Sequence, residues 1–493
     1  VVEVEVDLAS GLPAFALVGL PDAAVRESRE RVRAAVSNSD LAFPVRRITV
    51  NLAPADLRKE GPQFDLPVAL GVLAASGQVP GESLENLAVL GELSLTGEVR
   101  PVRGALPAAI AAREAGLDRL LLPEGNAAEA AVVKGLAVYP VRTLLQGVSW
   151  LRGEERLLPV KDTSGQPAEA ASDPDADFAD VRGQEHVKRA LEIAAAGGHN
   201  LVMIGPPGAG KTMLARRLPS ILPPLTYEEA LEITKIHSVA GLIPEGSGLM
   251  RARPFRSPHH TISDVGLVGG GSTAHVGEIS LAHLGVLFLD ELPEFPRHVL
   301  DVLRQPLEDG RITVTRAGYT VDFPARVSLV AAMNPCPCGH LTDPRKGCRC
   351  SAREIRNYQA RISGPLLDRI DLHVEVPPVG QEELTAGRDA EPSAAMRARV
   401  VAARARQEAR FRGTRAYTNA GMSSRSVRKH CPLDHDSRDL LSSATEQFGL
   451  SARAWDRILK VARTVADLEG AEVPSVAHVA EALQYRVLDR SGW

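Results

Sequence analysis

One octapeptide constrains this chain more than any other feature: Gly205-Pro206-Pro207-Gly208-Ala209-Gly210-Lys211-Thr212 follows the apolar run Leu201 to Ile204 and precedes the helical sequence Met213-Leu-Ala-Arg-Arg. A buried strand, a glycine-rich turn and a helix in that order form the first half of a βαβ unit, so the surrounding sheet is expected to be largely parallel. The glycines let the backbone curl until its N–H groups and the helix N-terminus face a phosphate. Lys211 then reaches the β- and γ-phosphates, and the Thr212 hydroxyl ligates magnesium. A plain glycine turn is the alternative, but it does not require the strand before or the helix after.

Two further runs read as strands covered on both faces, Val286 to Leu289 and Val327 to Ala332. The first ends in Asp290-Glu291. Adjacent carboxylates at the end of a buried strand are unfavourable unless a cation compensates them. Asp290 therefore reads as part of a magnesium shell and Glu291 as the group that polarises an attacking water. Phosphoryl transfer also needs donors aimed at the γ-phosphate. Asn334 at the end of the next strand, Arg369 in Leu366-Leu-Asp-Arg-Ile-Asp-Leu and Arg453 in Leu450-Ser-Ala-Arg-Ala-Trp are the candidates. Each arginine, taken alone, reads equally well as a surface or salt-bridged residue.

The chain is 493 residues long, enough for about three domains. Lys161 to Asp177 lacks large apolar residues and reads as a linker. Before it, β-type runs (Val1 to Val6, Arg47 to Leu52, Leu120 to Leu122) alternate with helical stretches (Pro67 to Ala75, Leu106 to Ala115). Beyond about Gly380 the strands vanish, and Trp455, Ile458, Leu459, Ala462 and Val465 have helical spacing. A net charge of -4 supplies no overall attraction to a polyanion, so a nucleic-acid site would have to be local. No run is long and apolar enough to span a bilayer.

Four of the five cysteines form two Cys-x-Cys pairs, Cys336/Cys338 and Cys348/Cys350, separated by a turn-rich loop. With so few cysteines elsewhere, this pattern fits a cytoplasmic protein better than a disulfide framework. Four thiolates suit a structural zinc; reduced free thiols and a redox disulfide are the alternatives. Cys431 reads as packing, and the adjacent His259 and His260 are assigned a loop role. Arg311 to Arg316 and Tyr319 to Val321 read as the arms of a hairpin, with Arg316 and Tyr319 near its tip as candidate DNA contacts, one for phosphates and one for stacking on bases. Arg397, Arg399, Arg404, Arg406, Arg410, Arg412 and Arg415 form either a second basic patch or a solvated helix face.

The phosphate loop, Leu287-Phe-Leu-Asp-Glu-Leu-Pro-Glu-Phe295, Met333-Asn-Pro-Cys-Pro-Cys-Gly339 and Ser363-Gly-Pro-Leu-Leu-Asp-Arg-Ile-Asp-Leu372 resemble the magnesium-chelatase-related AAA+ ATPases, in particular the ComM (YifB) family. The resemblance implies that Asn334 is sensor 1, Arg369 an arginine finger reaching a neighbouring subunit's nucleotide, and Arg453 sensor 2. Val181 and Gly183 match the adenine-side segment of this clade. Phe255 to His283 matches its inserted loop, read as a moving pore element. A finger supplied in trans implies a homo-hexameric ring, and the family is associated with DNA branch migration during natural transformation. ATP, magnesium and single-stranded or branched DNA are the implied ligands. Protein or chelatase remodelling and a nucleotide-dependent scaffold remain the alternatives.

The front third resembles the Lon protease domain, whose activity needs a Ser-Lys dyad. Gln63 in Lys59-Glu-Gly-Pro-Gln-Phe-Asp and Leu106 in Gly97 to Pro107 occupy the matching places, so no activated nucleophile is available. The expectation is a Lon-like α+β domain over 1–150 with a scaffold or partner-binding role rather than that of an unrecognised hydrolase, a linker over 151–177, an α/β AAA+ core over 178–378 and a helical lid over 379–493.

Overall fold

The computed structural model describes residues 1–161, 176–271, 275–316, 319–343, 345–378, 380, 390–414 and 416–490. Two compact units result: Val1–Ala168 with Tyr227–Met250, and Glu169–Thr226 with Arg251–Trp493. Residues 162–175, within the expected linker of 151–177, lie outside the described residues.

In the first unit β1 (Glu3–Ala9) runs antiparallel to β3 (Arg47–Ala53), and β2 (Ala14–Val18) runs parallel to β3 on its other side. Ile48, Val50 and Leu52 alternate inward from β3, the two-residue period of a half-buried strand. The helix Ala23–Asn38 begins where Asp22 accepts a hydrogen bond from the Val25 N–H, and it packs on the helix Asp65–Ala75. β4 (Leu87–Val89), β7 (Arg119–Pro123) and β8 (Ala137–Val141) form a parallel sheet, with a two-stranded ladder of β5 (Glu92–Leu93) and β6 (Val99–Arg100) nearby in sequence.

Sequence reading runs the core without interruption from 178 to 378, but Tyr227–Met250 groups with the first unit. Its helix, Tyr227–Ala240, packs on Ala105–Glu114. Ser238 accepts from the Gly104 N–H at 2.9 Å, and Tyr227 donates to the Val132 carbonyl at 2.9 Å.

The second unit is built on a five-stranded sheet of β9 (Leu201–Ile204), β10 (Phe255–Arg256), β13 (Val286–Leu289), β16 (Ser328–Met333) and β17 (Leu372–Glu375). The spatial order is β10-β13-β16-β9-β17, and every neighbouring pair is parallel. Leu201, Met203, Val286, Phe288, Val330 and Ala332 face one hydrophobic cluster with the helices Glu185–Gly197 and Lys211–Ile221. Val202, Ile204, Leu287, Leu289, Leu329 and Ala331 face the opposite cluster. Burial on both faces explains why these strands are uniformly apolar in sequence. Because β9 lies between β16 and β17, the chain order reverses there and opens a crevice at the strands' carboxyl ends.

Between β10 and β13 the chain is not a bare loop. It forms the helices Asp264–Val268 and Glu278–Leu281 and the short strands β11 (Gly269–Gly270) and β12 (His275–Val276), with Leu267 and Ile279 fully buried. β14 (Arg311–Arg316) and β15 (Tyr319–Pro324) pair as the expected hairpin. From 390 on, the regular elements among the described residues are helices, including Ser393–Phe411, His435–Phe448, Ala452–Glu469 and Val476–Gln484.

The arginine run in this part is largely internal fastening. Arg397 donates to the Ser220 carbonyl, Arg399 pairs with Glu192 and Glu391, Arg404 donates to the Ala195 carbonyl, and Arg410 pairs with Asp467. Neither a free basic patch nor a solvated face describes these four; Arg415 lies outside the described residues.

Candidate nucleotide site

Glycine at 205 is required by its neighbours. A Cβ there would lie 2.2 Å from the Val376 carbonyl, while the Gly205 N–H donates to Met333 at the end of β16. Gly208 and Gly210 take left-handed φ values of 78° and 87°, which turn the loop into the helix Lys211–Ile221. Gln184, itself at φ 57°, donates from Nε2 to the Ala209 carbonyl at 2.8 Å and so ties the segment containing buried Val181 and left-handed Gly183 to the loop.

Lys211 is buried, and its ammonium donates to the Gly205 and Pro206 carbonyls at 2.8 and 3.0 Å and to Asn334 Oδ1 at 3.2 Å. Burial lowers its pKa, while the charge of Asp290 works in the opposite direction. These acceptors are neutral, and phosphate oxygens are stronger partners for an ammonium. The Thr212 hydroxyl donates to Asp290 Oδ2 at 2.6 Å, and Asp290 Oδ1 accepts from the Glu291 N–H at 2.9 Å. A hydroxyl and a carboxylate in contact at the mouth of the loop suit an oxygen-seeking cation such as Mg2+. Glu291 stands exposed in a left-handed conformation, φ 54°, with its carboxylate 3.3 Å from His260 Nδ1.

Other expected residues stand apart from this cluster. Arg369 donates to the Arg304 and Pro365 carbonyls and pairs with Glu308. It lines a cavity of about 550 Å³ with Asp264, Arg304 and Arg311. Arg453 is exposed in the first turn of the helix Ala452–Glu469, and among the described residues no polar contact ties it to the phosphate loop. One turn further on, Arg457 lies 3.8 Å from Asp371, which also pairs with His199. Arg316 faces Tyr319 as the last pair of the hairpin ladder, and their side chains lie outside the described atoms.

Cys336, Cys338, Cys348 and Cys350 converge, with all four sulfurs within 4.8 Å of one another. Burial pushes the Cys336 thiol up to about 12, and backbone N–H donors from Arg349 and His340 draw Cys338 down to about 6. Cys431 is buried elsewhere, as expected of packing. In the first unit Gln63 donates to the Glu60 carbonyl, and Leu106 is fully buried in its helix.

Sequence reasoning missed His260 as a neighbour of Glu291 and Glu308 as the partner of Arg369. The first lies 31 residues from its contact and the second 61, so no local pattern announces either.

The chain matches three family descriptions in succession: subunit ChlI of Mg-chelatase over residues 4–126, magnesium chelatase, subunit ChlI, over 177–384, and the ChlI C-terminal region over 390–486. It is 47% identical to "Competence protein ComM" of Haemophilus influenzae, over 99% of this chain and 95% of that protein. The chain belongs to the magnesium-chelatase-related ComM/YifB family. YifB of Salmonella typhimurium is 46% identical over 99% of this chain and 94% of its own. The magnesium-chelatase 38 kDa subunit of Rhodobacter capsulatus is 26% identical over 32% of this chain and 50% of its own. Membership in this AAA+ family carries ATP and Mg2+ as cofactors and implies ATPase activity, which the parallel sheet and its phosphate loop suit. No helix among the described residues is long and apolar enough to cross a membrane.

Proposed function

We propose that this chain is the subunit of an ATP-driven ring, a homo-hexamer, that moves DNA strands during branch migration in natural transformation and recombination. The observation that carries the ring is Arg369: its guanidinium is held by Glu308 and two carbonyls, whereas the loop cation of the same chain is Lys211. Among the described residues these contacts keep it off the phosphate loop of its own chain, so that, once released from Glu308, it would serve a nucleotide on an adjacent copy. Support for DNA comes from the name of the Haemophilus relative, a competence protein, and from the hairpin that carries Arg316 and Tyr319.

Each residue of the site then has a task. Lys211 exchanges its neutral acceptors for phosphate oxygens, and Thr212 and Asp290 hold the magnesium, which neutralises charge on the transferred group. Glu291 orients and polarises the attacking water. Asn334, already beside Lys211, positions that water or the terminal phosphate. Arg369 of a neighbour supplies the remaining positive charge, and Arg453 serves as a second sensor in a helical lid. The front domain, Lon-like but without the Ser-Lys dyad, is a partner-binding scaffold and no protease. The protein works in the cytoplasm.

A second reading, remodelling of a protein or chelatase partner, is favoured by the likeness to the Rhodobacter chelatase subunit. Measuring ATPase rate with single-stranded, duplex and four-way-junction DNA across salt concentrations separates the two. A DNA motor is stimulated, and the stimulation falls steeply with salt because phosphate contacts release counterions. Replacing Arg316 and Tyr319 by Ala abolishes that stimulation but leaves the basal rate. Absence of stimulation by any DNA favours the remodeller.

A further inference from the structure

We propose that Cys336, Cys338, Cys348 and Cys350 bind one structural zinc ion, and that the knuckle they close braces the phosphate loop. The second half rests on reading Gly205 to Thr212 as the nucleotide site.

The sulfur geometry fits a single tetrahedral ion. Cys336 to Cys338, Cys338 to Cys348 and Cys336 to Cys348 are separated by 3.4, 3.6 and 3.7 Å. A Zn–S bond of about 2.3 Å gives a tetrahedron with edges of about 3.8 Å. A disulfide would need about 2.05 Å. A two- or four-iron cluster would hold some of its cysteines well beyond the 4.8 Å within which all four sulfurs lie here.

The backbone is arranged for thiolates as well. The Cys350 N–H points at Cys348 Sγ from 3.4 Å. Such a donor favours the anionic sulfur, and several thiolates at this spacing repel one another unless a cation sits among them. All-thiolate tetrahedral sites select zinc among the redox-inert metals.

The link to the nucleotide site runs through Gly339. Its N–H closes a turn onto the Cys336 carbonyl at 2.9 Å, and its φ is 81°. A Cβ at this position would meet Pro207 Cδ at 2.5 Å and Asn334 Cγ at 3.7 Å. The first cysteine pair therefore rests on the phosphate loop and begins two residues after Asn334. A metal that fixes the pair also fixes the floor under Pro207.

The test is metal analysis joined to nucleotide binding on the same full-length preparation. Protein purified without chelator or added metal is expected to carry about one zinc per chain. Replacing Cys348 and Cys350 together by Ser should remove the zinc and weaken binding of a fluorescent ATP analogue about tenfold. Should that variant fail to fold, chelator extraction of the intact protein reads the same two quantities. Gly339→Val should keep the zinc and weaken the analogue by a similar factor.

Zinc-free intact protein with all its thiols titrating, or iron in place of zinc, overturns the metal assignment. Unchanged nucleotide affinity after zinc loss overturns the brace. In both cases nucleotide binding by the intact chain leaves the ATPase reading standing. A zinc-loaded chain that binds no nucleotide would overturn that reading and the brace together while keeping the zinc.

Discussion

Lys211 Nζ and Asn334 Oδ1 lie 3.2 Å apart, joining the loop after β9 to the end of β16 through two side chains that have no sequence neighbours in common. On the proposed reading, the pairing sets Asn334 beside the cation that holds the phosphates. Lys211→Ala is therefore expected to abolish ATP binding. Asn334→Ala should leave the affinity nearly intact and lower kcat by about 10²-fold, the usual effect of losing one aimed donor. Equilibrium binding of a fluorescent analogue beside steady-state ATPase measures the split; equal losses in binding and turnover for Asn334→Ala would remove it from the sensor role.

Glu291 reaches solvent at the end of β13 with His260 at 3.3 Å as its neighbour. Glu291→Gln is expected to bind ATP with wild-type affinity and to hydrolyse it about 10²- to 10⁴-fold more slowly, since it keeps the shape and loses the base. Full biological activity in that variant, scored as transformation frequency, would instead favour a scaffold in which turnover is incidental.

Stability of the second unit should depend on pH through His373. This residue is fully buried on β17, and burial, with the charge of Arg486 added, holds its pKa well below the ordinary 6.5. The folded chain keeps the imidazole neutral, whereas the unfolded chain takes up a proton below about 6.5. The contribution is therefore complete above that value and lost as pH falls, by up to about 1.4 kcal/mol per pH unit. Denaturant titrations from pH 7.5 down to pH 5 should show a shallower slope for His373→Leu than for the wild type; identical slopes would clear His373 of that role.

The β-sheet of the second unit was legible because strands covered on both faces must be apolar throughout, and Leu201 to Ile204 and Val286 to Leu289 are. The same logic located Asp290 and Asn334, since polar residues that end such runs sit at the open edge of the crevice. Long-range pairing hid the rest. The partners of the arginine run, Glu192 and Asp467, are over fifty residues from Arg399 and Arg410, so the run reads as free charge until the chain is folded. The helix Tyr227–Ala240 buries Thr234, His237 and Ser238 beside Ile233 and Ile236, so its sequence shows no clean apolar face that names the core receiving it. Gly339 gives no hint in sequence that Pro207 lies against it.

Arg369→Ala should bind ATP normally and turn it over about 10³-fold more slowly, as expected when an arginine finger is lost. The same loss would follow whether the finger served its own chain or a neighbour, so that variant alone does not separate the two.

Mixing two inactive variants does. In a shared site, a ring assembled from Lys211→Ala and Arg369→Ala subunits contains interfaces where an intact loop meets an intact finger, and ATPase activity returns on mixing. If the site were complete within one chain, every subunit would remain defective and the mixture would stay as inactive as its components.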